Sequence, residues 1–260
     1  MSFEIIDFHT HPFLRSETNI CNHKDFCNMS ADETITLFKK LGVSKICGSV
    51  ISVRPQEDKN NWSEIKNNND EALSLKELYG DFYIPGFHIS PLYIEESMRE
   101  IERMDKMGIN LIGELVPYLD GWSNYASPEF SELLDEAGKR NMIVSIHSQE
   151  NDKMDEMVNN HKDVIFIAAH PGEYPDFMRH MERMKMNENY YIDLSGYGMF
   201  RHGMLRHAID LVGADRILFG SDYPTCNPAM YIGGVLLDTL ITNSEKEKIF
   251  SLNAKRLLNL

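Results

Sequence analysis

Short apolar runs rich in β-branched residues alternate along the chain with stretches whose apolar residues recur every three or four positions, and the two periods predict strands and helices respectively. Eight runs read as strands: Ile5–His9, Lys45–Ile51, Tyr83–His88, Ile109–Leu115, Met142–His147, Val164–His170, Tyr190–Ser195 and Arg216–Asp222. Between them the helical pattern covers Ala31–Leu41 with Ser30 as its N-cap, Asp70–Tyr79, Ile94–Met107, Pro128–Arg140, Asp152–Asn160, Pro175–Met186 and Met204–Val212. In the third of these, Ile94, Met98, Ile101 and Met104 form one apolar stripe, Glu95, Glu96, Arg99, Glu100 and Glu102 lie elsewhere, and Gly108 ends the helix. Strict alternation of strand and helix implies parallel strands. Runs such as Ile143–Ile146 and Val164–Ala169, apolar almost throughout, imply burial on both faces.

Eight such units in 260 residues predict an α/β fold of the (β/α)8 TIM-barrel type. With no linker, repeat or low-complexity segment, 1–260 reads as one barrel domain. An open doubly wound sheet is the competing arrangement, but the first strand–helix junction lacks the Gly-rich phosphate loop of a nucleotide-binding fold. Long connections follow the first strand (Thr10–Met29), the second (Ser52–Lys66) and the fourth (Val116–Ser127), all at the end where barrel enzymes carry their sites. Their aromatics, Phe13, Phe26, Trp62, Tyr118, Trp122 and Tyr125, suit either a roof over a small-molecule pocket or packing beneath the loops.

The polar residues that close the apolar runs carry the candidate chemistry. His9 and His11 are two apart in Asp7-Phe8-His9-Thr10-His11-Pro12, a spacing that turns two strand side chains to one face. His147 closes the fifth run, His170 the sixth and Asp222 the eighth. A buried imidazole or carboxylate is costly unless bonded, and barrel geometry brings the carboxyl ends of separated strands to one mouth. One metal site explains these endings together, and its nitrogen and oxygen donors suit a hydrolytic zinc, manganese or iron centre. Glu114, in Ile112-Gly113-Glu114-Leu115, reads as a carboxylate that bridges two ions or holds one, or else as a structural ion pair or substrate contact. His88 ends the third run and is placed behind the site; His161, His180 and His207 read as solvated.

Charge and cysteine narrow the partners. A formal net charge of −14 disfavours nucleic acid and anionic membranes as partners. No apolar stretch is long enough to span a bilayer, and no signal-peptide pattern opens the chain. Four cysteines, Cys21, Cys27, Cys47 and Cys226, are too few to frame it, so a reduced, cytoplasmic protein is expected. Cys21, His23 and Cys27 fit no common zinc-finger spacing.

DFHTHP at the start, SIHSQE, AAHPG, FGSDYP and the terminal Asn253-Ala254-Lys255-Arg256-Leu257-Leu258 occur in an order that resembles the amidohydrolase superfamily over nearly the whole chain. The resemblance is to its amidohydrolase-related branch, which contains aminocarboxymuconate-semialdehyde decarboxylase, aromatic-acid decarboxylases and pyrone lactonases. It implies a divalent metal, most simply zinc with manganese or iron as alternatives, in one or two copies. The implied ligands are His9, His11, His147, His170 and Asp222, with Asp222 handling the proton of water and His147 or His170 as further catalytic groups. The Ile-Gly-Glu at Glu114 is instead similar to TatD-type deoxyribonucleases, whose glutamate serves a two-metal site; the acidity of the chain weighs against carrying the nuclease activity over.

The expected function is a metal-dependent hydrolase of a small amide, lactone or ester. Non-oxidative decarboxylation of a small unsaturated or aromatic acid is the alternative, and a non-catalytic ligand-binding barrel the further one. A small anionic substrate is expected, held by Arg201, Arg54 and Tyr197 on loops at the mouth. A homo-oligomer is compatible with the sequence.

Overall fold

The computed structural model describes residues 3–21, 29–52, 61–198 and 201–260. Eight parallel strands follow one another around a single sheet in sequence order: β1 (Ile5–Asp7), β2 (Val43–Gly48), β3 (Tyr83–Phe87), β4 (Leu111–Leu115), β5 (Ile143–His147), β6 (Ile165–Ala169), β7 (Tyr190–Asp193) and β8 (Ile217–Leu218). The last strand returns to the first. Phe8 N donates to Phe219 O (2.8 Å), Asp222 N to His9 O (2.9 Å) and His11 N to Tyr223 O (2.6 Å), and Thr10 and Tyr223 form a parallel bridge. The (β/α)8 barrel expected from the alternation is the observed fold.

The helices are α1 (Ala31–Lys40), α2 (Trp62–Tyr79), α3 (Ile94–Lys106), α4 (Pro117–Asp120), α5 (Pro128–Lys139), α6 (Asn151–Asn160), α7 (Tyr174–Met186), α8 (Met204–Val212), α9 (Pro228–Leu236), α10 (Asn243–Glu247) and α11 (Asn253–Leu258). Ser30 caps α1 as expected, its hydroxyl accepting from Glu33 N while the Glu33 carboxylate accepts from Ser30 N. Three segments differ from the sequence expectation. The α2 helix starts at Trp62, so the end of the expected second connection is helical, with Asn61 accepting from Ser63 N as its cap. A single turn, α4, lies inside the expected fourth connection, opened by Pro117 at its first position. Two further helices, α9 and α10, follow β8 before the C-terminal α11.

Two cores result from the two faces of the sheet. Ile6, Phe8, Cys47, Leu111, Ile143, Ile167, Tyr191 and Leu218 fill the barrel, and Ala254 and Leu257 of α11 pack against them. The larger layer lies between strands and helices and includes Phe38, Leu75, Ile101, Phe130, Val144, Phe166, Met181 and Phe219. Neighbours along one strand, such as Phe166 and Ile167, enter different cores, as the two-residue side-chain repeat requires. Phe13, Trp122 and Tyr125 are buried, and Trp122 packs on Tyr125 and Phe130 (ring centroids 5.5 and 4.9 Å), so these loop aromatics are packing. Phe26 lies outside the described residues. Among the described residues, no helix is long and apolar enough to cross a membrane.

Two expectations about histidine are overturned. His180 is fully buried, its Nδ1 2.8 Å from Tyr190 Oη, because it falls on the apolar face of α7 with Phe177 and Met184. His161 is also buried, between Ser131 Oγ (2.9 Å) and Asp135 Oδ1 (3.1 Å). His207 is exposed, as expected.

Candidate metal centre

The six residues singled out at the strand ends meet at the mouth of the barrel. His9 and His11 lie just beyond β1, and their Nε2 atoms are 3.0 Å apart. Glu114 of β4 stands between them and the far side of the mouth. Its Oε2 is 3.3 Å from His9 Nε2 and 3.3 Å from His11 Nε2. Its Oε1 is 2.9 Å from His147 Nδ1 and 3.4 Å from His170 Nε2. Asp222 Oδ1 approaches the first pair, 3.8 Å from His9 Nε2 and 3.6 Å from His11 Nε2. The His147 side chain, 23% exposed, is the most open of the six.

Local backbone form aims these groups. His170 (φ 67°), directly after β6, and Asp222 (φ 60°), in the segment beyond β8, adopt the left-handed conformation and turn the chain sharply there. Such positions are costly for side chains other than glycine and cluster at functional sites. Gly113 (φ 87°) precedes Glu114; a Cβ there would run into Ser145 O of β5, so only glycine lets the carboxylate take this place. Gly196 does the same for His170, whose ring lies where a Cβ would be.

Behind the cluster lie residues that the sequence reading passed over. Asp193, the last residue of β7, puts Oδ2 2.8 Å from His9 Nδ1. The Ser195 hydroxyl donates to Asp193 Oδ1 and lies 2.9 Å from His9 Nδ1 and 3.0 Å from His170 Nδ1. His11 Nδ1 is 3.0 Å from the Ser49 carbonyl. These bonds orient the rings. Asp193 and Ser195 carried the signal used elsewhere, an apolar run closing on polar residues. His88 takes its expected place behind the site: its N donates to Asn69 Oδ1 (2.7 Å), its carbonyl accepts from Asn69 Nδ2 (3.0 Å), and its Nδ1 is 3.9 Å from Asp120 Oδ2.

Burial opposes charge throughout this cluster, yet the partners prevail. Burial raises the Glu114 carboxyl, but His9 and hydrogen bonds from His11, His147 and His170 bring it well below the ordinary value. Burial lowers His9, but Asp193 and Glu114 raise it well above its ordinary value. Glu114 and Asp193 are therefore anionic and, against burial, draw positive charge onto two imidazoles: both acids raise His9 above its ordinary value, and Glu114 raises His170. Buried nitrogen and oxygen donors, short of a cation and all facing one space, fit a divalent ion. His9, His11 and Glu114 can surround one ion and Glu114, His147 and His170 another.

The expected substrate contacts stand apart from this cluster. Arg201 is ion-paired with Glu173, and Tyr197 also hydrogen-bonds Glu173, which lowers the Glu173 carboxyl. Arg54 lies outside the described residues, as do His23 and Cys27. Tyr118 is half exposed on α4, its ring 5.3 Å from that of His147.

Solved structures share this architecture. A 2,6-dihydroxybenzoate decarboxylase complexed with 2,6-dihydroxybenzoate superposes with a TM-score of 0.79 at 17% identity, over 99% of this chain and 100% of the other. A dihydroxybenzoic acid decarboxylase from Polaromonas sp. JS666, with bound manganese and the inhibitor 2-nitroresorcinol, gives 0.74 at 15% identity, over 99% and 97%. A probable 2-pyrone-4,6-dicarboxylic acid hydrolase from Acinetobacter baumannii, with citric acid bound, gives 0.70 at 16% identity, over 100% of both chains. No curated protein sequence matches the chain. The amidohydrolase family model matches residues 6–260, and with the barrel and the donor cluster at its mouth this shows that the chain belongs to the amidohydrolase family and is an enzyme of that superfamily.

Proposed function

We propose that the protein is a two-ion hydrolase of a small, carboxylate-bearing lactone, ester or amide. One observation carries this reading: the two oxygens of the Glu114 carboxylate face different imidazole pairs, His9 with His11 and His147 with His170. A bridging carboxylate between two donor sets is the arrangement of a hydrolytic two-ion site. His9, His11, Glu114 and Asp222 would hold one ion; Glu114, His147 and His170 would hold the other. Zinc suits the donors, and manganese or iron can replace it. Bound there, the metal supplies a polarised carbonyl and a water whose pKa falls from about 16 toward 7.

The chain's own residues do the rest. Asp222, opposite His9 and His11, accepts the proton of the attacking water and returns it to the leaving oxygen or nitrogen. His147 and His170 hold the far side of the site, where negative charge develops on the carbonyl oxygen. Arg201 and Tyr197, from the connection after β7, meet the substrate carboxylate, with Arg201 exchanging Glu173 for it. Tyr118 covers His147 and narrows the mouth.

Decarboxylation of a small aromatic acid is the second reading, favoured by the likeness to two dihydroxybenzoate decarboxylases. One experiment separates them. Metal-loaded protein is offered carboxylated lactones, esters and amides and a set of hydroxybenzoates in oxygen-18 water. Label entering the product without carbon dioxide supports hydrolysis; carbon dioxide release without label assigns the decarboxylase reaction instead. Turnover of neither class rejects both.

A further inference from the structure

We propose that Asp193 and Ser195 act as one shared anchor that fixes the ring orientation and proton position of two imidazoles on opposite halves of the donor cluster, His9 and His170. This rests on the two-ion reading above.

The hydrogen bonds leave little choice. Asp193 and Ser195 are fully buried, so each needs its hydrogen-bond partners within the protein. The single Ser195 hydroxyl proton goes to Asp193 Oδ1, so toward the rings the same oxygen can only accept. His170 Nδ1, 3.0 Å away, must therefore carry a proton and donate to it. His9 Nδ1 donates to Asp193 Oδ2 at 2.8 Å, with Ser195 Oγ beside it at 2.9 Å. With both Nδ1 atoms protonated, each ring turns Nε2 toward Glu114, at 3.3 Å for His9 and 3.4 Å for His170. The other two imidazoles do not depend on this anchor: His11 is held by the Ser49 carbonyl, and His147 presents Nδ1 itself to Glu114.

His9, His170 and Asp193 also form a group close enough to surround an ion. Ser195 Oγ already lies within hydrogen-bond distance of all three, so that space is filled and the group is an anchor, not a further metal site. One carboxylate thus orients a ligand on each side of Glu114, directly for His9 and through a hydroxyl for His170. The indirect link is the part that can be cut alone.

The test is cobalt(II) titration of metal-free parent, Ser195→Ala, Asp193→Asn, His170→Gln and the Ser195→Ala/His170→Gln double variant, read by visible absorption and elemental analysis. Metal-free melting curves verify that each is folded. In Ser195→Ala the ion on the His147 and His170 side is expected to bind 10–100-fold more weakly, the usual effect of losing a bond that orients a ligand. The ion on the His9 and His11 side is expected to change by less than about threefold, because His9 keeps Asp193. Asp193→Asn should weaken both ions at least about tenfold, since an amide NH2 facing His9 Nδ1 favours the wrong tautomer. The double variant should bind no more weakly than His170→Gln alone. Unchanged cobalt affinities in Ser195→Ala, or losses that add in the double variant, would overturn the proposal. A parent that takes up one equivalent defeats the two-ion reading separately, and Asp193→Asn still decides the anchor on that single ion, since Asp193 orients His9 directly and His170 through Ser195: an unchanged affinity overturns it.

Discussion

Among the described residues, buried histidines meet charged groups both at the barrel mouth and on the outer side of β7, and the mouth is the candidate site. At the mouth, His9, His11, His147 and His170 surround Glu114, with Asp193 and Asp222 beside them. On the outer side of β7, Asp155 of α6 meets Arg183, His180 and Tyr190. The outer cluster contains its own permanent cation. Arg183 is fully buried and donates to Asp155 Oδ1 (2.6 Å), Tyr190 Oη (2.9 Å) and the Asn151 carbonyl (3.0 Å), and Arg179 pairs with the other Asp155 oxygen. It asks for no ligand. The mouth cluster has anionic carboxylates and only imidazoles to balance them, and its polar atoms face a common space. Buried charge alone is thus a poor sign of function; buried donors lacking a fixed cation are a better one.

The sharpest break between the two clusters is expected from Glu114→Gln. If Glu114 bridges, the variant loses one of two metal equivalents by elemental analysis, and kcat falls on the order of 10³, matching the several kcal/mol of transition-state stabilisation an ion supplies. Full metal content with only a raised KM would make Glu114 a substrate contact. Arg183→Met should do the reverse. Removing the buried guanidinium leaves Tyr190 Oη and the Asn151 carbonyl without this donor while Asp155 keeps Arg179, a loss of about 1–3 kcal/mol that lowers Tm by several degrees with metal stoichiometry below Tm unchanged. Metal loss from folded Arg183→Met would mean the clusters are coupled. Between these effects lies Asp222→Asn, for which a drop in kcat of about 10² with parental Tm is expected. Parental turnover would show that the proton is handled elsewhere.

The sequence makes the two clusters unequally legible. Each candidate donor at the mouth lies at or beside the end of an apolar run, so a polar residue stands out, and parallel strands converge whatever their spacing in sequence. His9, His11, Glu114, His147, His170 and Asp222 could all be found this way. Asp193 and Ser195 gave the same signal at the end of Tyr190–Ser195, but serine and aspartate after a strand are also ordinary turn residues, which hid them. The outer cluster sits on α7, where Phe177, Met181 and Met184 mark the buried face. His180 and Arg183 share that face, yet a histidine and an arginine in a polar helix look solvated until a partner such as Asp155, 28 residues away from Arg183, is brought against them by packing. The α9 helix escaped notice for a different reason: apolar at nearly every position and carrying Gly233-Gly234, it has no clear period.

A smaller effect is expected from acid. Burial, helped by the Arg183 charge, lowers His180 to about 3, so it is neutral in the folded protein at pH 7. In the unfolded chain it titrates near its ordinary value of about 6.5. The unfolded state therefore takes up the proton first, and the stability from a neutral His180 is complete above about pH 6.5 and lost as pH falls toward 3, at up to about 1.4 kcal/mol per unit. Chemical denaturation of metal-free His180→Gln between pH 6.5 and 4 should show a shallower decline than the parent. Equal slopes would place the acid sensitivity outside this cluster.

The smallest effect separates a surface pair from a substrate contact. Arg201 and Glu173 are both partly exposed, at 43% and 35%, so water screens the pair and it adds little to stability. Arg201→Met should therefore shift Tm by no more than a few degrees. Its effect on KM depends on charge. If a carboxylate displaces Glu173 in the complex, KM for an anionic substrate rises about tenfold, the loss of one charge-assisted hydrogen-bonding pair, and kcat stays near the parental value because the group lies away from the reacting atoms. A neutral analogue should show no change in KM. Glu173→Gln provides the reciprocal measurement: freeing Arg201 from its partner should lower KM for the anion and leave the neutral analogue unaffected. Equal KM values for both substrates in both variants would make Arg201 and Glu173 a surface ion pair alone and remove the only described cation offered for the substrate carboxylate.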